Sequence, residues 1–386
     1  MAVRKAIGLI VGWGILAAAV LIPLAGGQTT VSTVDGVVVV KNGKRPVPPP
    51  GAAAKLVLDP DFTVGGGASP EQEFASITAL EVRDDGSVLV LDTKDCAVRA
   101  FDASGRFLFS FGKKGQGPGE LNMPTGLVNT PSGEILVEDT LNRRLAVFSP
   151  AGKFLRNQAL PQEMGIGGLT MDSHGRIAAR SIAFADGKIG YEIKTYDRDF
   201  KPGKTLTRMD MGSPQQMKVD LLSGVAGIVF GLDARGNIYV GSPKGYLIRV
   251  FDFDGRLVRT IGREYDPIPV DKKEQERMAK VLGAMPTPGG RDPKDMYVLP
   301  DAYPAYANFI VNRDGRLLVR TYEKAKPPAG NFHDVFDAEG RFILHAPFTM
   351  EFIAWRDDRL YGLDENEDGY PVLKCFRARW EKGSCP

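Results

Sequence analysis

The stretch Leu80-Glu81-Val82-Arg83-Asp84-Asp85-Gly86-Ser87-Val88-Leu89-Val90-Leu91-Asp92 decides the fold. Two short apolar runs flank a polar turn ending in glycine, which reads as a β-hairpin. A polar loop leads to Val98-Arg99-Ala100-Phe101, the turn Asp102-Ala103-Ser104-Gly105-Arg106 and a last run from Phe107 to Phe111, closed by Gly112. The unit recurs along the chain. The aromatic ending the third run returns as Phe148, Tyr196, Phe251, Phe336 and Phe376, and the first-turn glycine as Gly133, Gly175, Gly236 and Gly315. The second-turn glycine returns as Gly152, Gly255 and Gly340, each followed by Arg or Lys. In three units the turn glycines are 19 residues apart (86 to 105, 133 to 152, 236 to 255), while the last unit has Asp357-Asp358-Arg359 at its first turn.

Repeated four-strand units of about 40–50 residues predict an all-β fold, a six-bladed β-propeller of four-stranded antiparallel blades. Each small sheet has two apolar faces and cannot bury them alone, so the units stack around an axis. Glycine suits the tight turns because they need positive φ, and the recurring aromatic is expected to pack between blades. Lys55 to Gly65 reads as a fourth strand without its first three, and Phe352 to Trp380 as three strands without a fourth. The N-terminal strand is therefore expected to complete the last blade and close the ring, which assigns residues 55–386 to the propeller.

Composition narrows the function. From residue 28 onward basic and acidic residues balance at 47 each, once Arg4 and Lys5 are set aside from the 49 basic residues. That gives no basic face for nucleic acid. The 3 cysteines exclude a disulfide framework or a four-cysteine zinc site, and the 3 histidines argue against a multi-histidine metal centre.

Arg4 and Lys5 precede an apolar run from Ala6 to Ala25, and Ala25-Gly26-Gly27 supplies small residues before Gln28. This predicts a secretory signal over 1–27, cleaved after Gly27. The run 6–25 is also long enough to be an uncleaved membrane tether. Either way the body is expected outside the cytoplasm, periplasmic or extracellular. Export would let Cys375 and Cys385 pair and leave Cys96 as a small buried hydrophobe. Residues 28–54, with one apolar run and the proline cluster 46–50, read as a linker with a short strand.

The segment Phe111-Gly112-Lys113-Lys114-Gly115-Gln116-Gly117-Pro118-Gly119-Glu120-Leu121, with Pro124 after it, resembles the inter-blade loop of NHL-repeat proteins. Asp139-Thr140-Leu141-Asn142-Arg143-Arg144 resembles their loop between second and third strands. The chain is similar to exported bacterial six-bladed propellers of the NHL/TolB-like group over about residues 55 to 380, most strongly in blades one and two. The resemblance implies the fold; such rings serve as lyases, lactonases and binding platforms alike.

In such a ring the loops joining successive blades share one face with the loops between second and third strands, where ligands enter. Two connections there are long: Met209 to Gly224, with a helix-like stretch Gln215 to Leu222, and Arg263 to Pro304, in which Asp271 to Leu282 reads as a helix. Glu138, Asp139, Arg143, Arg144, Arg180, Arg320, Tyr322 and Asp364 are expected to project on this face. Of these Glu138, Arg143, Arg144, Arg180, Arg320 and Tyr322 are the candidate ligand-binding residues. Arg180 and Arg320 hold equivalent places in blades three and five; their forks suit a carboxylate, sugar acid or phosphate, and their structural role would be pairing with Glu or Asp between blades.

Asp364-Glu365-Asn366-Glu367-Asp368-Gly369 matches the start of a calcium loop, so Asp364, Asn366 and Asp368 are the candidate metal ligands and calcium the candidate cofactor. An EF-hand is excluded because its twelfth place is Cys375; the alternative is a solvated acidic turn. Similarity to lactonase-like propellers implies a channel metal, for which Glu81, Asn308 and Glu351 are candidates, although alignment on the turn glycines sets them at different heights. Amidating-lyase propellers imply zinc-binding histidines, but His174, His333 and His345 fall at places that should not converge. No catalytic residue is assigned. The leading expectation is a non-enzymatic, monomeric module that binds a protein, peptide or glycan on its loop-rich face. The alternative is a metal-dependent lyase or lactone hydrolase at the channel mouth, and an uncleaved anchor would make the propeller an envelope receptor.

Overall fold

The computed structural model describes residues 22–23, 29–50, 55–67, 69–161, 164–213, 219–220, 222, 227–242, 245–283, 292, 297–298, 300–327 and 329–381. The proposed signal segment (apart from 22–23), most of the helix-like stretch 215–222 and Cys385 lie outside them. Cys375 and Cys96 are buried free thiols.

Six sheets each hold the four antiparallel strands of one blade. Blade one comprises Ile77–Val82, Val88–Asp92, Ala97–Phe101 and Phe107–Phe111. Blade two runs from Pro124–Asn129 to Phe154–Ala159, and blade three from Met164–Met171 to Pro202–Gly212. Blade four spans Val229–Leu232 to Leu257–Arg263, and blade five Asn308–Val311 to Phe342–Phe348. The first strands touch one another in sequence, and that of blade six, Glu351–Arg356, touches that of blade one, so the ring is closed. The fourth strand of blade six is Lys55–Gly65, antiparallel to Pro371–Glu381 with Leu373 opposite Val64. Ring closure by the N-terminal strand is thus as the sequence predicts.

The apolar faces meet between blades. Leu89, Leu91 and Phe111 of blade one pack with Leu127, Ile135 and Phe148 of blade two, and the other neighbouring pairs bury similar sets. The third-strand aromatics lie in these layers: Phe148 sits 4.5 Å from Phe111 of the preceding blade, ring to ring. Gly152, one turn beyond, has φ +79°, and a Cβ there would stand 2.6 Å from the Phe111 ring. Glycine is needed at this turn both for the left-handed backbone and because the previous blade lies against it. The basic residue after the glycine also has a role. Arg106, Arg256 and Arg341 donate through Nε to Asp102, Asp252 and Asp337 across the turn, at 2.6–2.8 Å, which fixes the hairpin geometry.

Residues 28–54 do more than link. Thr29–Val34 and Val37–Asn42 form a hairpin, and its second strand runs parallel to Leu257–Arg263, with Val40 opposite Ile261. With Ile22–Pro23 added, the blade-four sheet has seven strands. Asn42, 3% exposed, donates to the carbonyls of Gly262 and Gly340 and accepts from the Phe342 amide and the Thr29 hydroxyl. The hairpin thereby ties blade four to blade five.

The helix expected over 271–282 is present as Lys272–Gly283. Asp271 accepts from the Glu274 amide at its start (2.8 Å), satisfying one of the free donors there.

Candidate functional site

Second strands run toward the loop-rich face, and the fourth residues of these strands in blades two, three and five are Glu138, Arg180 and Arg320. The structure gives these positions a common behaviour: each reaches toward the start of the next blade. Glu138 lies close to the backbone amides of Gly168 and Leu169 in blade three and accepts from the Thr125 hydroxyl. Burial pushes its carboxyl above the ordinary value, against those contacts and the nearby charge of Arg180. Gly126, on the first strand in front of Glu138, leaves it room, since a Cβ would stand 2.9 Å from Oε2. Arg180 donates to the carbonyl of Ile228, just before blade four, at 3.2 Å. Arg320 pairs with Glu351 of blade six at 2.8 Å.

Glu138 is enclosed, whereas the Arg320 and Glu351 side chains remain 31% and 43% exposed. Asn308, at the start of the blade-five first strand, donates to the other Glu351 oxygen at 3.1 Å. Tyr322 follows Arg320 by one strand repeat, so both project to the same side. Its ring stacks on Tyr303 (centroids 4.7 Å, planes 26° apart), and its hydroxyl donates to the Leu222 carbonyl in the blade-three-to-four connection. Glu274 and Arg277 of the helix pair with each other. Burial, then Glu274, raises the Tyr303 phenol, which places this helix beside the tyrosines. Asn308, Arg320, Tyr322, Tyr303 and Glu351 thus form a polar and aromatic patch at the channel mouth by blades five and six. Sequence reading reached Arg320 and Tyr322 through the second-strand register. Tyr303 sits in a long connection with no periodicity, so nothing local marked it.

The other expected residues have different fates. Arg144 is committed to its own loop: Nε donates to buried Asp139 at 2.7 Å, and the other nitrogens to the carbonyls of Gln116, Gly117 and Glu120. Arg143 is exposed beside it with φ +51°. Asp364 takes the Lys374 ammonium at 2.7 Å, which lowers its pKa. Asn366 accepts the amides of Asp368 and Tyr370 and donates to the Gly66 carbonyl. Asp364, Asn366 and Asp368 therefore organise a hairpin turn, and the structure does not gather them around a cation. Among the described residues no group of three His, Cys, Asp or Glu is placed to hold a metal ion.

Glu81, Asn308 and Glu351 do not converge either. Asn308 and Glu351 begin their first strands, while Glu81 lies near the end of its own, at the opposite end of the channel. Burial raises Glu81 to about 7, against the Arg356 charge. Of the histidines, His174 is exposed at a turn, and His333 packs against Phe348 and Phe352 with its pKa lowered to about 4 by burial. His333 and His345 sit opposite Ala346 and Asp334, respectively, on adjacent strands.

A family described as a 6-bladed beta-propeller matches residues 69–173. Protein brain tumor of Drosophila melanogaster is 29% identical over 109 residues, which are 28% of this chain and 10% of that protein. The chain therefore spans about a tenth of the curated relative it matches. Among solved structures, a candidate exported protein of Bacteroides fragilis aligns with TM-score 0.57 and 13% identity, over 88% of this chain and 99% of its own. A member of the duf4221 family from Bacteroides vulgatus aligns with TM-score 0.53 and 13% identity, over 85% and 99%. These likenesses concern the fold.

Proposed function

We propose that this propeller is an exported binding module that takes up a peptide segment of a partner protein at the channel mouth by blades five and six. The observation that carries this reading is the Arg320–Glu351 pair, left open to solvent between blades and flanked by Asn308 and the Tyr303–Tyr322 stack. A peptide offers amides, carboxylates and amines, and this patch presents a fork of donors, an acceptor carboxylate and aromatic surface within one mouth. A metal enzyme centred on Glu351 would need the carboxylate that Arg320 holds. Export rests on the basic start and apolar run of residues 4–25.

Screening the purified protein against peptide and glycan arrays tests the reading. Peptide hits that weaken at least about tenfold in both Arg320→Ala and Tyr322→Ala, with unchanged melting, are expected; tenfold corresponds to about 1.4 kcal/mol. Peptide binding that both variants leave intact, or glycan hits alone, would refute it.

A further inference from the structure

A second recess lies between blades four and five, bounded by Lys44 of the N-terminal segment, Arg263 to Pro269, and Glu323 and His345 of blade five, with a volume of about 420 Å³. Thr321 and Glu323 face it, so it lies on the other side of strand Leu317–Lys324 from Arg320 and Tyr322. Its test does not depend on the channel-mouth reading.

Its inner wall is a buried network. Asp334 is fully buried. One of its oxygens accepts from the Tyr246 hydroxyl and from Arg263 Nη1 (2.7 Å), and the other lies 2.6 Å from His345 Nδ1. Arg263 also donates to the Lys44 carbonyl at 3.1 Å and lies over the rings of Tyr246 and Phe342. A carboxylate that already accepts from Tyr246 and Arg263 offers His345 only an acceptor, so Nδ1 carries the hydrogen. In the neutral ring Nε2 is then left with its lone pair. It stands 3.4 Å from Glu323 Oε2, another acceptor.

Two acceptors facing each other at that distance call for a donor. The charge balance has the same sense. Arg263 is matched by Asp334 and Lys44 by Asp266, which leaves Glu264 and Glu323 as the unmatched charges at the recess among the described residues. Pro267, Pro269 and the Tyr265 ring supply an apolar wall suited to an alkyl stem.

We propose that this recess binds a primary ammonium group, which donates to His345 Nε2 and Glu323 together while Asp334 holds the imidazole tautomer. A lysine side chain and a free amino terminus share this chemistry.

Three histidines make the site observable. In ¹⁵N-histidine-labelled protein, with His345 assigned through His345→Gln, the Nδ1–H tautomer is expected. Saturable shifts of the His345 Nε2 signal are expected with Nα-acetyl-lysine amide if the side-chain ammonium is the ligand, or with glycinamide if a free amino terminus is. Nα-acetyl-trimethyllysine amide keeps the charge but has no ammonium N–H, and should bind at least tenfold more weakly than the lysine form. Glu323→Gln, at a side chain 52% exposed, should weaken the effective amine by a similar factor with unchanged melting. Equal binding of the trimethylated probe overturns the proposal. So does a doubly protonated His345 that closes on Glu323 and responds to neither amine, since the network is then an inter-blade staple alone. Should Glu323→Gln fail to fold, the trimethyl comparison on the unaltered protein still decides.

Discussion

Arg144 opens a third strand and Arg320 lies within a second strand, both on the loop-rich side, yet the fold uses them differently. Arg144 stands beside an aspartate that is fully buried and below a loop whose carbonyls turn inward, so its donors are consumed. Arg320 meets a partner across a blade boundary, where both side chains keep contact with water. An exposed pair of this kind contributes little to stability and can exchange partners with a ligand. Glu81 shows how environment alone sets a residue's behaviour. Its folded pKa of about 7 lies above the ordinary carboxyl value of 4.5 because burial disfavours the charge. A carboxyl raised in this way adds stability below the unfolded value and loses it as pH rises through the window from 4.5 to about 7. Glu81→Gln should therefore be more stable than the parent at pH 8, by about 1–3 kcal/mol, and nearly equal to it at pH 4.5. His333, whose pKa is lowered by burial, titrates with the opposite sign in part of the same window, so the difference between parent and variant is the quantity to read. Denaturant melts at the two pH values check this, and identical pH slopes would refute it.

At the level of elements, the N-terminal hairpin Thr29–Asn42 is a structural part of the ring. Without it the outer edge of Leu257–Arg263 would present unpaired amides and carbonyls, a template for association. It would also remove the Asn42 bonds that join blade four to blade five. A chain beginning at Lys55 is expected to melt several degrees lower than the parent and to be cut by protease first near 257–263. An unchanged melt and digestion pattern would show that the hairpin only covers the sheet. Blades one and two differ from the others at the ends of their second strands. Asp92 and Asp139 each gather amides from the connection before their blade, and Arg99 and Arg144 complete them. Blades three to five have Ser181, Ser242 and Thr321 at that place. The resemblance in loop sequence is strongest in the same two blades, where those aspartates hold amides of the loop in front of them.

The whole molecule is held by a closure that joins residues far apart in sequence. Lys55–Gly65 pairs along the full length of Pro371–Glu381, and Val64 lies in the same buried layer as Phe101 and Tyr361. Such a closure removes the exposed edges of an open array, at the cost of a long loop to close before folding completes. A chain beginning at Gly66 should lose the monomeric folded state by size-exclusion chromatography and circular dichroism, and a peptide of residues 55–65 added in trans should restore part of it. A folded monomer without that strand would mean that the ring does not rely on the closure.

The alternation of apolar residues, the turn glycines and the repeated aromatic by themselves determined the blade, the number of blades and the closing strand. Each of those features is a local rule repeated along the chain, and repetition makes it legible. They also placed Glu138, Arg180 and Arg320 on one face through strand register. Tertiary structure decided what those residues touch. Whether an arginine on that face is consumed or open depends on the loop or blade brought against it, and no local pattern carries that information. The Asp364 turn illustrates the same limit: its spacing suited a cation, but Lys374 on the neighbouring strand took the carboxylate. The recess at His345 was least legible of all, because Tyr246 and Arg263 of blade four, Asp334 of blade five and Lys44 of the N-terminal segment meet there only in the closed ring.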